Sequence, residues 1–181
     1  MPPKSPNFGG LWEAGVKSFK FHLKRVVGNA KLTFEELLTV ANQIEAILNS
    51  RPIIPLSNDV NECDVLTPGH FLIGRPLNAI VEPSLINIPD NRLTVWERTT
   101  KFVQTIWQRW QRDYLSNLQQ RSKWMFSKDN LSINSIVLIK EDNLPICKWL
   151  LGRIIQVFPG NDNKVRVALV KTQNGQLKRP I

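Results

Sequence analysis

A glutamate followed by three lysines at helical spacing is the pattern in this chain with the clearest chemical meaning. Glu13 ends the run Pro6–Glu13, and Lys17, Lys20 and Lys24 follow four, seven and eleven residues later. Residues three or four apart stack on an α-helix, so these side chains share one face. A carboxylate can bind a divalent metal, and a row of lysines can follow a phosphate backbone. An ordinary amphipathic helix with a solvated charged face has the same pattern.

The helix that must carry this face is predicted over about Gly10–Val27, with Gly28 as its stop. A second stripe of the same helix is apolar, and we expect it to be buried. It consists of Trp12, Val16, Phe19, Leu23 and Val26. We also expect residues 1–90 to be poorly packed unless further sequence covers this stripe.

A second helix and an irregular, proline-rich segment are predicted next. The helix begins at the cap Thr33, which can form a capping box with Glu36, and it ends near Asn49. Its predicted buried face is Leu37, Leu38, Ala41, Ile44, Ile47 and Leu48. Residues 52–92 hold six prolines and are predicted to be mostly irregular, with one short helix that starts at Pro68. Thr67 would cap that helix, and His70 is interpreted as a packing or capping residue.

The second half of the chain combines one long helix with short strands. The helix is predicted over Thr94–Lys123, and its stripe of large side chains is expected to pack against other elements: Trp96, Val103, Trp107, Trp110, Tyr114 and Leu118. Strands are predicted at Ile136–Ile139 and Leu150–Phe158, and Asn174–Gly175 indicates a hairpin. In a further half-buried strand, Val165, Val167 and Leu169 alternate with Lys164, Arg166 and Ala168. Four or five such strands predict a small SH3-like β-barrel.

The charge of the chain is high and unevenly distributed. The net charge is +9 with an isoelectric point near 9.9. Residues 1–90 carry eight Lys and Arg against nine Asp and Glu, whereas residues 91–181 carry sixteen against six. A strongly basic half indicates a polyanionic partner, most often nucleic acid. A basic domain without such a partner is the alternative.

The cysteines and histidines argue against a structural zinc site. Cys63 and Cys147 are far apart, and His22 and His70 form no HxxxH spacing. Two isolated cysteines without a signal peptide fit a reducing compartment, and no apolar run is long enough to span a bilayer. We therefore expect an intracellular protein, in the nucleus or cytoplasm, that is not secreted and has no membrane partner.

The motifs, taken in order, resemble the C-terminal part of the integrase of BEL/Pao-type LTR retrotransposons. The resemblance covers nearly the whole chain. It rests on the segments Pro6–Glu13, Leu48–Pro52, Leu66–Gly74, Trp107–Trp110, Val137–Lys140, Leu151–Ile154 and Val165–Val167. The fold class that it implies is α+β. Residues 1–90 would be the helical C-terminal remnant of a ribonuclease-H-like catalytic core, 91–130 a long connecting helix, and 131–181 an SH3-like β-barrel, possibly truncated.

The resemblance also implies a site and its partners. In the integrase family two Asp and one Glu bind two divalent metals, usually Mg²⁺, and transfer the ends of the element's DNA into target DNA. Glu13 matches the Glu of that motif, and Lys17 and Lys20 match lysines that lie along the DNA end. Lys24 extends the same row, and an integrase multimer is implied as a partner.

The chain departs from the family pattern at the metal site. Both aspartates would lie upstream of Met1, and Asp59, Asp64 and Asp90 follow Glu13 and do not match the motif. A two-metal site needs several carboxylates, so we expect no enzymatic activity and no cofactor for this chain alone. We interpret it as an integrase fragment that still binds nucleic acid. The alternatives are a stand-alone nucleic-acid or protein interaction module and a non-functional remnant of a transposable element.

Two residues of the basic half are our candidate DNA contacts. Lys164 and Arg166 alternate with Val165 and Val167, which we expect to be buried, so the two cations would project outward together. The basic faces of the Thr94–Lys123 helix are the alternative location.

We predict that the chain by itself has no strand-transfer or nuclease activity, because Glu13 alone cannot hold a metal pair. The assay supplies a DNA end with Mg²⁺ or Mn²⁺ and compares the chain with Glu13→Gln, and both should give only background. Metal-dependent activity that disappears in Glu13→Gln would contradict this interpretation.

Overall fold

The computed structural model describes residues 9–57, 64–119 and 129–181. Its α-helices are α1 (Gly10–Val27), α2 (Phe34–Asn49), α3 (Pro68–Ile73) and α4 (Val95–Leu118), and a 3-10 turn lies at Asp90–Arg92. Its strands are β1 (Ile54–Pro55), β2 (Val65–Leu66), β3 (Ile136–Ile139), β4 (Leu150–Pro159), β5 (Val165–Thr172) and β6 (Gly175–Pro180). The α+β class is thereby confirmed.

The chain divides into two compact units that are interleaved in sequence. The first unit comprises Met1–Ser50, Leu77–Asp113 and Pro145–Cys147. The second comprises Arg51–Pro76, Tyr114–Leu144 and Lys148–Ile181. Helix α4 contributes to both. The assignment of residues 1–90 to a catalytic-core remnant, 91–130 to a connecting helix and 131–181 to a barrel stays a prediction.

The core of the first unit comes from α2 and α4. Its most deeply buried side chains are Val40, Ile44 and Ile47 on α2, with Val103, Ile106 and Trp107 on α4. Each group recurs at three- and four-residue intervals, which places it on one face of its helix. The rings of Trp107 and Trp110 lie 6.2 Å apart and are tilted by 36°.

Helix α1 has the predicted bounds, but only part of its apolar stripe is buried. Phe19, Leu23 and Val26 are half-buried, whereas Trp12 is 54% and Val16 42% exposed. The prediction of a continuous buried stripe is therefore wrong for its first half. Near the C-terminal end of α1, the Arg109 guanidinium donates to the Arg25 carbonyl at 3.4 Å.

Helix α2 begins with the predicted capping box. The Thr33 amide donates to the Glu36 carboxylate at 2.7 Å, and the Glu36 amide donates to the Thr33 hydroxyl at 3.3 Å. The predicted buried face is only partly right, because Leu37 and Leu38 are 42% and 48% exposed. Burial starts one turn later than expected, at Val40.

The proline-rich segment is mostly irregular, as predicted, and side chains hold parts of it in place. At α3 the Thr67 amide donates to His70 Nδ1 at 3.0 Å, which confirms the capping role of His70. On α4 the buried Gln104 amide binds the loop twice, since its nitrogen donates to the Pro83 carbonyl and its oxygen accepts from the Leu85 amide, both at 2.8 Å. One buried polar side chain thereby satisfies two loop groups.

Helix α4 begins at the predicted cap, where the Thr94 amide donates to the Glu97 carboxylate at 2.8 Å. The middle of its predicted stripe is buried, whereas the ends are not: Trp96 is 58% and Leu118 55% exposed. The predicted end at Lys123 lies outside the described residues. Across the parts of the chain that the structure describes, every helix is too short or too polar to cross a membrane.

The second unit contains an antiparallel four-stranded sheet in the order β3-β4-β5-β6. Its core cluster is Ile139, Ile154, Ala168 and Val170. The final hairpin is confirmed: Thr172 pairs with Gly175, so Gln173 and Asn174 form its loop. Within the described residues β3 and β6 are the two edges of an open sheet, so a closed SH3-like barrel is not confirmed.

We predict that the stability of the first unit falls as the pH drops below the ordinary histidine pKa of 6.5, because of His22 on α1. His22 is 4% exposed, and its Nδ1 finds no hydrogen-bond partner within the described ranges. Burial lowers its pKa, the charge of Asp113 on α4 opposes this shift, and Arg25 and Arg109 add to it.

The sign follows from proton binding. Below pH 6.5 the unfolded chain protonates His22 before the folded chain does, so the free energy of unfolding falls until the lowered folded-state pKa is reached. Denaturant unfolding at several pH values gives the slope of the free energy of unfolding against pH. This slope should be clear for the native chain and much smaller for His22→Gln. The control His70→Gln, which keeps a residue suited to the capping box, should retain the slope. An unchanged slope in His22→Gln would contradict the assignment.

Candidate nucleic-acid interface

The three longest strands of the second unit form a sheet that carries only positive charge. Strands β4, β5 and β6 contain five Lys or Arg and no Asp or Glu. The five cations are Arg153, Arg166, Lys171, Lys178 and Arg179. The net charge of the basic half is therefore concentrated on a regular surface, and the strand register decides on which face each cation lies.

Strand register separates the sheet into a core face and a second face. Ala168 and Val170 on β5 belong to the core cluster, and their neighbours across the sheet face the same way. The odd-numbered residues of β5, from Val165 to Lys171, point to the opposite side, which we call the outer face. Three rows of paired residues cross it: Phe158, Val167 and Pro180; Gln156, Leu169 and Lys178; Arg153, Lys171 and Gln176.

Both cations on the core side are held by carboxylates. Arg166 makes a two-pronged contact with Asp162, with nitrogen-to-oxygen distances of 2.6 and 2.9 Å. Arg179 donates to Glu141 at 2.8 Å. The hydrogen bonds to Arg166 hold the pKa of Asp162 below its ordinary value, and the same contact raises the pKa of Arg166. These charges are largely neutralised locally.

The outer face carries lysines whose charge is not balanced in this way. Lys171 and Lys178 are exposed, and none of the ion pairs formed within the described ranges includes them. The Lys178 ammonium lies over the Phe158 ring, 4.2 Å from its centre. Arg153 at the far end of the face is buried and donates to the Asn134 carbonyl at 2.7 Å. The exposed, unbalanced charge of the sheet therefore lies on the outer face.

The structure places Lys164 and Arg166 differently from the sequence-based prediction. Val165 and Val167 are only half-buried, and it is Ala168 and Val170 that are buried. Arg166 therefore points to the core side of β5, beyond the end of the core. Lys164 precedes β5 and has an exposed side chain. The prediction that buried Val165 and Val167 direct both cations outward is therefore wrong. The contact of Lys164 and Arg166 with DNA stays a prediction.

The first unit carries the predicted charged face of α1. Glu13, Lys17, Lys20 and Lys24 are all exposed, as that face requires. The glutamate lies in the first turn, where the positive end of the helix dipole favours a carboxylate. Its carboxylate folds back against Gly9, where a Cβ atom would collide with it. Glycine at position 9 is therefore what leaves space for this conformation, a requirement that spacing alone does not reveal.

The donor atoms near Glu13 do not by themselves suit a pair of divalent metals. Such a pair needs several carboxylates from separate elements. Within the described ranges, no three His, Cys, Asp or Glu side chains come together as a possible metal site. Glu13 can act as one ligand, and the others would have to come from elsewhere.

Lys171 and Lys178 were missed by sequence reasoning. The absence of acidic residues from β4, β5 and β6 is a signal that the sequence does contain. The face on which each lysine lies depends on the register of β5 and β6, and a shift between Ile154 and Gln156 sets which residues of β4 share that face. A bulge of this kind has no reliable signature in one sequence.

Comparison with protein-family models matches the second half of the chain. Residues 94–181, which include α4 and the four-stranded sheet, match the model of a family described as "Family of unknown function (DUF5641)". No curated protein and no solved structure matches the chain. The match thus covers the basic half of the chain.

We predict that breaking the ion pair between Arg166 and Asp162 raises the affinity for DNA no more than the removal of any other single negative charge does. The variants Asp162→Asn and Asp142→Asn each remove one negative charge, but only Asp162 is paired with Arg166. Because Arg166 lies on the core side, both variants should strengthen binding of a DNA oligonucleotide by the same small factor. A clearly larger gain in Asp162→Asn, measured by fluorescence anisotropy, would instead support the predicted Arg166 contact.

Proposed function

We propose that this chain binds nucleic acid through the outer face of its sheet. The observation that carries the proposal is the separation of charge on strands that contain no acidic residue. The core-side arginines are neutralised by Asp162 and Glu141, whereas Lys171 and Lys178 are exposed on the opposite face. Exposed lysines without acidic neighbours are available to neutralise phosphates and to release their counterions.

The chemistry of the face predicts binding with little sequence preference. Lysine ammonium groups contact phosphates as point charges, and phosphate contacts carry no direct sequence information. The overall net charge of +9 adds a long-range attraction for polyanions. Affinity should therefore fall steeply with salt and depend little on base order.

We further propose that the chain represents the C-terminal part of a BEL/Pao-type retrotransposon integrase, acting in DNA integration. The ordered motifs and the Glu13, Lys17 and Lys20 pattern support this origin. By itself the chain would not be an enzyme. Mg²⁺ at Glu13 would require carboxylates from another segment, in a multimer that holds the element's ends and the target DNA. The proposed location is the nucleus or the cytoplasm.

A protein-interaction module is a second candidate, favoured by exposed apolar side chains in the second unit. Six large apolar side chains, which lie on β1, on α3 or next to these elements, are at least half exposed: Ile53, Ile54, Leu56, Phe71, Leu72 and Ile73. Exposed apolar side chains that form a contiguous patch often mark contact surfaces. The double variant Phe71→Ser plus Leu72→Ser would weaken such a contact, and it leaves the outer face unchanged.

We predict that Lys171→Ala plus Lys178→Ala lowers both the affinity for DNA and its salt dependence. Each lost phosphate contact reduces the slope of log affinity against log salt by about 0.9 for a duplex and about 0.7 for a single strand. The matched control is Lys140→Ala plus Lys148→Ala, which removes the same charge from exposed positions of the second unit outside the outer face. Anisotropy titrations at several salt concentrations give both quantities.

The comparison of the two double variants decides the location of the site. A smaller slope only in the outer-face variant would support the proposal. Equal losses in both would mean that net charge alone attracts the DNA. Wild-type chain that fails to bind any oligonucleotide at low salt would refute nucleic-acid binding altogether.

A further inference from the structure

The outer face is more apolar than a surface that only meets phosphates would need to be. One of its three rows consists of Phe158, Val167 and Pro180, and Leu169 lies in the middle of the next row. Phe158, Val167 and Leu169 are half-buried, and Pro180 is exposed. Apolar side chains therefore lie directly beside Lys178, on the same face and within one row of Lys171.

A duplex and a single strand make different use of such a surface. The outside of a duplex is its sugar–phosphate backbone, and its bases are stacked inside. A duplex would leave the apolar row against charged, hydrated groups. A single strand can turn its bases toward the protein, where they cover apolar and aromatic side chains while its phosphates meet cations. The mixed composition of the outer face therefore fits a single strand better.

The contact between Lys178 and Phe158 shows how the two kinds of group would work together. The ammonium lies over the ring at 4.2 Å, so one π-face of Phe158 is covered by an exposed lysine side chain. A cation–π contact at an exposed site is weaker than the stacking of a base on an aromatic ring. A base can therefore displace the ammonium from the ring. The displaced lysine stays within reach of the phosphate of the same nucleotide.

We infer that the outer face binds single-stranded nucleic acid, with a base stacked on Phe158 and phosphates at Lys178 and Lys171. The inference rests on the proposed function. It adds that the partner is single-stranded and that Phe158 is the residue that distinguishes it from a duplex. The chemistry is common to single-stranded DNA and RNA, because every base has a π-face and every nucleotide a phosphate.

The experiment compares oligonucleotides of one length with the full chain. The probes are a thymidine homo-oligomer, a uridine homo-oligomer and a duplex DNA, each labelled for fluorescence anisotropy. The single strands should bind more tightly than the duplex at equal salt. Phe158→Leu keeps apolar volume but removes the π-face, and it should weaken single-strand binding by roughly 5- to 150-fold. Phe158→Trp should preserve or strengthen that binding.

Two controls separate stacking from structural damage. Phe71→Leu makes the same substitution at a phenylalanine of the second unit that is 74% exposed on α3 and lies outside the outer face, so it should leave binding unchanged. Duplex binding by Phe158→Leu should also stay close to that of the native chain. Circular dichroism checks that each variant is folded. If Phe158→Trp retains single-strand binding, the loss in Phe158→Leu comes from the missing aromatic ring and not from damage to the fold.

The outcomes distinguish this inference from the proposed function. Duplex binding that is as tight as single-strand binding, or single-strand binding that is the same in Phe158→Leu, would overturn the inference and leave nucleic-acid binding intact. Loss of all binding by the native chain would refute the proposed function itself. Tighter binding of the thymidine than of the uridine oligomer would identify the partner as DNA, and the reverse order would identify it as RNA.

Discussion

The hydrogen-bonded register of strand β5 is the constraint on which the second unit depends. Its even-numbered residues Ala168 and Val170 are buried in the core cluster with Ile139 and Ile154, so its odd-numbered residues must point the other way. A one-residue slip would bring Lys171 into the core, and the cost of burying an unpaired charge opposes it. The burial of a few aliphatic side chains thus fixes the position of every cation on the sheet.

The same register explains why equal charges have different consequences. Arg166 and Arg179 emerge on the core side, near carboxylates of the adjoining turns, and form ion pairs. Lys171 and Lys178 emerge where the neighbouring side chains of the strands are amides, apolar groups and Arg153, with no carboxylate among them. Surface ion pairs of the first kind contribute little to stability. Their main effect is to confine the unbalanced positive charge of the sheet to one face.

In the first unit, by contrast, the residue with the clearest chemical meaning, Glu13, lies on an exposed part of its helix. Glu13 is exposed in the first turn of α1, and Trp12 and Val16 beside it are about half exposed. The most deeply buried apolar side chains of the unit lie on α2 and α4, whose apolar faces are set by helical spacing. Among the residues that the structure describes, Glu13 belongs to no group of three side chains that could hold a metal.

Local chemistry was readable from the sequence because it depends on residues close in the chain. The caps at Thr33, Thr67 and Thr94, the bounds of α1 and the hairpin before β6 follow from side chains that bond to backbone within a turn. The basic character of the second half follows from its composition, and the class α+β was implied by the family resemblance. Glu13 and its lysines were placed on one exposed helical face by spacing alone.

What the tertiary structure decided is which side of each element is covered. Leu37, Trp12 and Trp96 are apolar and correctly phased, yet they are exposed, because burial requires a neighbour that spacing does not specify. The assignment of Lys171 and Lys178 to the open face, and of Arg166 to the core side, required the register across β4, β5 and β6. Pairing between strands joins residues far apart in the chain. Its energy depends on which faces meet in the core, and a single sequence does not state that.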